Sequence, residues 1–347
     1  MRFYTGQHRY YCGIDLHART MYVCILEHET GEIVLHRNLR CEPNHFLQAV
    51  APYRDDLVVA AECIFCWYWL ADLCMRENVP FVLGHALYMK AIHGGKAKND
   101  RIDSRKIAGL LRGGVIPMAY VYPQGMRATR DLLRRRLFFV RKRSELFSHI
   151  RTTFHQLNLP APAARLLDRP NRVGVAEAIP DPIVRASVEA DLVMAAKLDE
   201  VILFLEQQIR RQAGSENPDT LALLQTIPGV GPILSLTFLY ELHDVARFPR
   251  VQEFLSYARL VKSQKSSAGK IIKTSGDKIG NAHLKWAYSE AAVGFLQRNP
   301  RGQKFIQRLR SKHGRGKALS ILAARLGRAS YYMLRRSTPF DMDRFLN

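Results

Sequence analysis

Four carboxylates are spaced along this chain so that a sheet and a helix could bring them together. Asp15 lies inside a short apolar segment, and Glu62 stands near the end of the apolar run LVVAAEC. Asp100 and Asp103 are three residues apart at a predicted helix start, where they share one face. Grouped carboxylates repel one another unless cations neutralise them, and their oxygens suit Mg²⁺ or Mn²⁺. Two such ions would clamp the attacking and leaving oxygens of a phosphodiester, so the acids predict metal-dependent phosphodiester chemistry.

A structural explanation competes for each acid taken alone. Asp100 and Asp103 could cap their helix and neutralise the positive end of its dipole. Asp15 and Glu62 are harder to explain in this way, because a carboxylate in an apolar segment costs free energy unless it is paired or metal-bound. The four acids together, in this order, favour a metal site.

The elements that must position these acids follow from the hydrophobic pattern. Residues 10–112 predict three strands, a helix, a strand, a helix, a strand and a helix. The predicted strands are Tyr11–Leu16, Met21–Glu27, Glu32–Leu39, Leu57–Cys63 and Pro80–Leu83, and the predicted helices are Asn44–Ala51, Phe65–Glu77 and Asp100–Leu111. An antiparallel start followed by βαβ crossovers is typical of a ribonuclease H-like mixed sheet. In such a sheet the first and fourth strands are neighbours and the last helix packs across their ends, which would gather the acids around one point.

The next region is helical and basic. Residues 127–151 contain nine Lys or Arg against two acids, and apolar residues recur there in steps of three and four. A second apolar stripe runs from Val188 to Ile209. The two stripes predict an antiparallel helical hairpin or a coiled-coil dimer arm, with simple packing inside one domain as the alternative.

The last region carries two segments suited to phosphate. The turn Ile227–Pro232 reads IPGVGP between apolar helices, as in a helix-hairpin-helix whose backbone N–H groups approach a DNA phosphate. The polar stretch Lys262–Gly280 contains the segment Lys265–Lys270, KSSAGK, which predicts a flexible phosphate-binding loop. Serine becomes a nucleophile towards phosphorus only with a base and charge stabilisation, and composition alone makes that role a remote one here. A basic helical tail follows, Arg301–Arg336.

The amino-acid composition indicates which partners the protein binds and in which cellular compartment we expect it. The 347 residues carry 52 Lys and Arg against 31 Asp and Glu, a formal charge of +21, which indicates a phosphate-rich partner. The N-terminus lacks an apolar signal segment and no membrane span is evident, so we expect a cytoplasmic, nucleoid-associated protein of prokaryotic type with reduced thiols. Cys63 and Cys66 form a lone CxxC pair, which favours two buried thiols beside a strand end over a zinc site.

Three segments, YCGIDLHART, AAEC and KNDRIDSRKIAGLL, resemble the acidic region of the DEDD transposases, which are RuvC-like insertion-sequence recombinases. The later IPGVGP, SSAGK and TSGDKIGNAHLKWAYSEAA resemble the C-terminal domain of the same family. The resemblance implies an α/β N-terminal ribonuclease H-like (RuvC-like) mixed sheet over residues 8–123. A helical hairpin or coiled coil over 124–215 and a mainly α C-terminal domain over 216–340 with a helix-hairpin-helix would follow.

The resemblance also implies roles for particular residues. Asp15, Glu62, Asp100 and Asp103 would bind Mg²⁺ or Mn²⁺, and Ser267 would attack a DNA phosphodiester to form a phosphoserine link, with Ser266 as the adjacent alternative. The family implies a homo-oligomer, dimer or tetramer, acting on double-stranded DNA of element ends and target, and a structured guide RNA. We expect nucleic-acid contacts from Gly229, Gly231, Arg134, Arg135, Arg136, Arg141, Lys142, Arg143, Lys265, Lys270, Lys273 and Lys285.

Three other functions fit the sequence less well. A RuvC-like junction nuclease would hydrolyse DNA through the acids alone, and a non-catalytic nucleic-acid-binding protein would use them as helix caps. The stretch GIDLHART also resembles the first phosphate loop of actin-like ATPases, but no later Gly-rich nucleotide loops follow.

Overall fold

The computed structural model describes residues 2–92, 99–213, 217–267, 270–275 and 279–346, with the backbone alone for 263–275. The chain divides into two compact units, Met1–Gln124 and Gly125–Asn347. The second unit therefore holds both the predicted helical hairpin and the predicted C-terminal domain. No helix in the described part of the chain has the length and apolarity that crossing a bilayer requires.

The first unit is built on a five-stranded mixed sheet in the order β3-β2-β1-β4-β5. β1 pairs antiparallel with β2 and parallel with β4, β2 pairs antiparallel with β3, and β4 pairs parallel with β5. The strands are β1 (Tyr10–Leu16), β2 (Thr20–Glu27), β3 (Ile33–Arg40), β4 (Leu57–Glu62) and β5 (Phe81–Gly84). The predicted strands are confirmed to within two residues at every end.

Helices cover both faces of this sheet. They are α1 (Pro43–Val50), α2 (Tyr68–Arg76), α3 (Ala86–Ile92) and α4 (Asp100–Arg112). β4 is buried along its apolar run because helices pack on both sides of it, as expected for a central parallel strand. The sequence did not predict α3, and α2 begins three residues later than predicted.

The second unit is mainly helical. α5 (Gln124–Gln156) and α6 (Pro182–Ala213) are long and antiparallel, since ion pairs join Arg136 to Glu206 and Arg143 to Asp199. The antiparallel pairing of α5 and α6 within one chain agrees with a helical hairpin and with simple packing inside one domain. The remaining helices are α7 (Pro218–Gln225), α8 (Pro232–Leu242), α9 (Val251–Tyr257), α10 (Ala282–Leu296), α11 (Pro300–His313), α12 (Arg315–Arg336) and α13 (Met342–Leu346).

One prediction for this unit needs correction. The stretch predicted as a flexible loop contains an antiparallel strand pair, β6 (Ser263–Ser267) and β7 (Lys270–Ser275), because the KIIKTS segment carries β-branched residues that favour strands. The predicted basic helical tail is confirmed, and it consists of two helices, α11 and α12, separated by Gly314 with its positive φ of 76°.

Candidate metal centre

The register of the sheet brings Asp15 and Glu62 to the same edge. Ile14 of β1 pairs with Ala61 of the parallel neighbour β4. Asp15 and Glu62 are the next residues on these two strands, so they lie side by side at the carboxyl ends. This edge is where open α/β sheets present their functional side chains.

Close packing of α4 on β1 adds the other two acids. A Cβ on Gly13 would lie 2.2 Å from the backbone nitrogen of Ala108 and 2.4 Å from the carbonyl oxygen of Ser104, so only glycine permits this approach. The first turn of α4 carries Asp100 and Asp103. The helix cap is instead Asn99, whose side chain accepts a hydrogen bond from the Ile102 N–H at 2.7 Å. Side-chain capping is therefore not what the two aspartates supply.

A histidine that the sequence analysis did not select completes the cluster. The Nε2 atom of His17 lies 3.5 Å from Oδ2 of Asp15 and 3.4 Å from Oδ1 of Asp100. One potential ligand atom from each of these three residues lies within 4.8 Å of the others. The signal was present in the sequence, because residues two apart on an extended chain share a face.

The electrostatics of Asp15 reflect all of these neighbours. Burial raises the pKa of Asp15 above its ordinary value of 3.8, the imidazole of His17 lowers this pKa, and the charges of Asp100, Asp103 and Glu62 raise it further. Only Asp15, His17 and Asp100 have ligand atoms within 4.8 Å of one another, and Asp103 forms an ion pair with Lys106 at 3.1 Å. The four acids nevertheless lie near enough for mutual repulsion. A divalent cation would relieve it, so the donor set fits Mg²⁺ or Mn²⁺.

Cysteines do not join this candidate centre among the described residues. Cys63 is exposed, so the prediction that it and Cys66 would both be buried is wrong. Cys63 directly follows β4, whereas the half-buried Cys66 donates a hydrogen bond to the Leu16 carbonyl at 3.5 Å.

The predicted serine site lies on the strand pair of the second unit. Ser267 is the last residue of β6 and pairs with Lys270 of β7. The side chains of Ser266, Ser267, Lys265, Lys270 and Lys273 lie outside the described residues.

The predicted basic contacts on α5 divide into two groups. Arg134, Arg136 and Arg143 form ion pairs with Glu241, Glu206 and Asp199, so these three arginines hold helices together. The other three predicted side chains are exposed, and they are Arg135, Arg141 and Lys142. Lys285 is likewise exposed, on α10.

Glu241 is the most deeply buried acid of this group, with 1% of its side chain exposed. Its oxygens accept hydrogen bonds from Arg130 at 3.1 Å, from Arg134 at 2.6 and 2.9 Å, and from Asn281 at 2.8 Å. Burial alone would raise the pKa of Glu241, but the hydrogen bonds and the two arginine charges lower it to about 2. This network joins α5, α8 and the start of α10.

The two glycines of the IPGVGP turn have different surroundings. Gly229 has φ 81°, and a Cβ there would lie 2.1 Å from the carbonyl carbon of Gly294, so this turn packs backbone to backbone on α10. Gly231 precedes α8 and is exposed, and a Cβ added there would meet no atom within 4 Å. Gly229 therefore has a packing role, and Gly231 is the glycine that a phosphate could approach.

Comparison with known proteins gives three similarities. A transposase family model of the DEDD type found in IS110 elements matches residues 12–159. A second model, described as the transposase IS116/IS110/IS902 family, matches residues 221–307. The transposase for insertion sequence element IS1111A of Coxiella burnetii is 23% identical over 318 residues, which cover 90% of this chain and 85% of that protein. The matched ranges include the acidic cluster in one unit and Ser267 in the other.

Proposed function

The chain belongs to the IS110 family of insertion-sequence transposases, and from this premise we propose that it cuts and joins DNA strands at a metal centre formed by Asp15, Glu62, Asp100 and Asp103. The observation that carries the proposal is that Asp15 and Glu62 end neighbouring strands side by side, with Asp100 and His17 within 4.8 Å of Asp15. The order β3-β2-β1-β4-β5, antiparallel and then parallel, supports a ribonuclease H-like (RuvC-like) assignment.

The four acids would approach the metal from two different elements, the sheet and α4. Asp15 and Glu62 hold their carboxylates from the rigid end of the sheet, while α4 presents Asp100 and Asp103 from the side. A divalent cation bound there would supply stabilisation of the charge that develops on phosphodiester oxygens. The side chain of Asp100 is 52% exposed and that of Asp15 is 16% exposed, so the cluster is open to a DNA strand on the α4 side.

We propose Ser267 as the nucleophile. Its Oγ would form a bond to phosphorus as the bond from phosphorus to a deoxyribose oxygen breaks, and the hydroxyl proton would pass to a base. The phosphoserine link retains the phosphoester, so a second strand can be joined by the reverse attack. The support is the SSAGK segment inside the matched family region, together with its position at the end of β6.

A covalent adduct tests this step most directly. Wild-type protein incubated with labelled element-end DNA should yield a protein–DNA adduct stable to denaturant, and Ser267→Ala should abolish it. Ser266→Ala is the matched control, because the two serines are adjacent, and it should retain the adduct. Loss in Ser266→Ala alone would move the nucleophile, and free 5′-phosphate ends with no adduct would favour a junction nuclease.

We also propose that the working site combines two subunits of a homo-oligomer and that a structured guide RNA selects the DNA. The support is that the acids and Ser267 belong to different units of the chain, and that the net charge of +21 suits two nucleic acids. Mixed oligomers of Asp15→Asn and Ser267→Ala chains should recover strand joining. Without recovery, each site must draw both residues from one chain. Copurifying RNA that is required for joining would support the guide.

A further inference from the structure

We propose that His17 is a ligand of the metal centre, so that this centre binds Mn²⁺ in preference to Mg²⁺. The inference rests on the proposed metal site and is independent of DNA joining. It adds a nitrogen donor to the four carboxylates proposed as ligands above.

The distances around His17 suit a shared ion. Its Nε2 atom lies 3.5 Å from Oδ2 of Asp15 and 3.4 Å from Oδ1 of Asp100. Neighbouring ligands of an octahedral ion with bonds near 2.1 Å stand about 3 Å apart, so small side-chain movements would bring the three atoms onto one cation. Within the described residues, no other group of three ligand-bearing side chains is as close together.

The backbone aims the imidazole at this position. His17 follows β1, two residues beyond Asp15, so the extended chain sends both side chains to the same face. The His17 N–H donates to the Thr20 carbonyl at 2.9 Å, which closes the turn into β2, and the His17 carbonyl accepts a hydrogen bond from the Cys41 thiol at 3.2 Å. The peptide groups of His17 are therefore fixed on both sides. Its side chain is 46% exposed, which leaves the site open to ions from solvent.

Nitrogen ligation has a consequence for metal choice. Mg²⁺ prefers oxygen donors and retains its water, whereas imidazole suits transition metals, whose affinity for a mixed nitrogen and oxygen site exceeds that of Mg²⁺. One neutral nitrogen among four carboxylates should therefore raise the affinity for Mn²⁺ more than the affinity for Mg²⁺. The competing role for His17 is that of a counter-charge to the two aspartates, with no bond to metal.

Electron paramagnetic resonance of bound Mn²⁺ distinguishes these roles. The sample is full-length, tag-free chain without DNA, because a histidine tag would itself supply nitrogen ligands. We expect ¹⁴N modulation of the Mn²⁺ echo in the wild type and its loss in His17→Ala, with a Kd for Mn²⁺ raised at least about tenfold. The Kd for Mg²⁺, from competition with Mn²⁺, should change by less than about twofold.

Two further variants guard against loss of folding and indirect effects. His17→Asp replaces the imidazole with a carboxylate ligand, so it should bind metal without ¹⁴N modulation and shift the preference towards Mg²⁺. His149→Gln is the matched control, because His149 pairs with Asp191 in the other unit, and it should change neither the modulation nor the affinity.

The outcomes separate this inference from the proposed function. Wild-type Mn²⁺ binding that Asp15→Asn abolishes, but with no ¹⁴N modulation or with modulation unchanged in His17→Ala, would overturn the role of His17 alone. Absence of Mn²⁺ and Mg²⁺ binding in the wild type would overturn both the ligand and the metal centre. Nitrogen modulation in a protein that does not join DNA would leave His17 a ligand and contradict the proposed reaction.

Discussion

At the scale of single residues, the half-buried Asp15 and the buried Glu241 show how neighbouring charges determine the role of a carboxylate. Asp15 is surrounded by other acids, and burial together with their charges raises its pKa. Glu241 is more deeply buried, yet Arg134 and Arg130 hold its pKa at about 2. The charges around Asp15 repel one another unless a cation binds, which suits a functional site. The charge of Glu241 is already neutralised by arginines, which suits a structural role.

Glu241→Gln should therefore destabilise the second unit strongly. The substitution leaves the charges of Arg130 and Arg134 uncompensated in a buried place, and breaking such a pair costs about 3–5 kcal/mol. Urea unfolding followed by circular dichroism measures the loss. Glu200→Gln, which removes an exposed pair with Lys197, is the control and should unfold like the wild type.

The same residue gives a signed pH dependence. The folded-state pKa of about 2 lies below the ordinary 4.5, so the contribution of Glu241 is full above pH 4.5 and is lost as the pH falls towards 2. The difference in unfolding free energy between wild type and Glu241→Gln should shrink across that window. A difference that stays constant from pH 5 to pH 3 would contradict the network.

At the scale of elements, what the sequence could predict depended on local patterns. β1, β4 and α4 were predicted closely because an apolar run and a helical period are local signals, and these elements place the four acids. The partner of Arg134 was out of reach, because Glu241 is 107 residues away and no local pattern joins them. His17, by contrast, was within reach of a local signal, because it lies two residues beyond Asp15 and an extended chain sends both side chains to one face.

The contact between α4 and β1 is the element-level basis of the acidic cluster. Gly13→Ala would place a methyl group 2.2 Å from a backbone atom of α4, so we expect a loss of about 1–3 kcal/mol and weaker metal binding as Asp100 and Asp103 move away. Gly109→Ala is the matched control on α4 itself. Nothing lies within 4 Å of its Cβ position, so it should stabilise the unit by up to about 1 kcal/mol. Thermal unfolding and Mn²⁺ titration report both effects, and unchanged metal binding in Gly13→Ala would contradict this basis.

Two glycines in the turn between α7 and α8 allow the effect of packing on stability to be measured separately from the effect of phosphate contact on DNA affinity. Gly229→Ala meets Gly294 at 2.1 Å and has a left-handed backbone, so its unfolding free energy should fall by more than about 1 kcal/mol. Gly231→Ala has open space around it and should leave stability unchanged. A drop in DNA affinity in Gly231→Ala would support the phosphate contact, and unchanged affinity in a filter-binding assay would exclude it.

At the scale of the whole molecule, the net charge of +21 does not mean that every basic residue can contact nucleic acid. Arg134, Arg136 and Arg143 are engaged with acids of their own unit, whereas Arg135 and Arg141 are exposed on the same helix. The exposed group is the better candidate for nucleic-acid phosphates.

Salt dependence of DNA affinity measures that surface. Each lost phosphate contact should reduce the slope of log K against log salt by about 1, so Arg135→Gln and Arg141→Gln together should reduce it by about 2 with the fold intact. Arg210→Gln, exposed at the end of α6, is a control for general charge. A reduction no larger than that of the control would contradict the assignment.

The central claim is that the acids at the ends of β1 and β4 and at the start of α4 form one metal centre for DNA cutting. The most direct measurement is the cleavage rate of labelled element-end DNA by Asp15→Asn, Glu62→Gln, Asp100→Asn and Asp103→Asn, with Mn²⁺ affinity determined on the same preparations. We predict that each folded variant loses both cleavage and tight Mn²⁺ binding, because each removes a charge from one cluster. Cleavage at the wild-type rate by Asp15→Asn would contradict the claim.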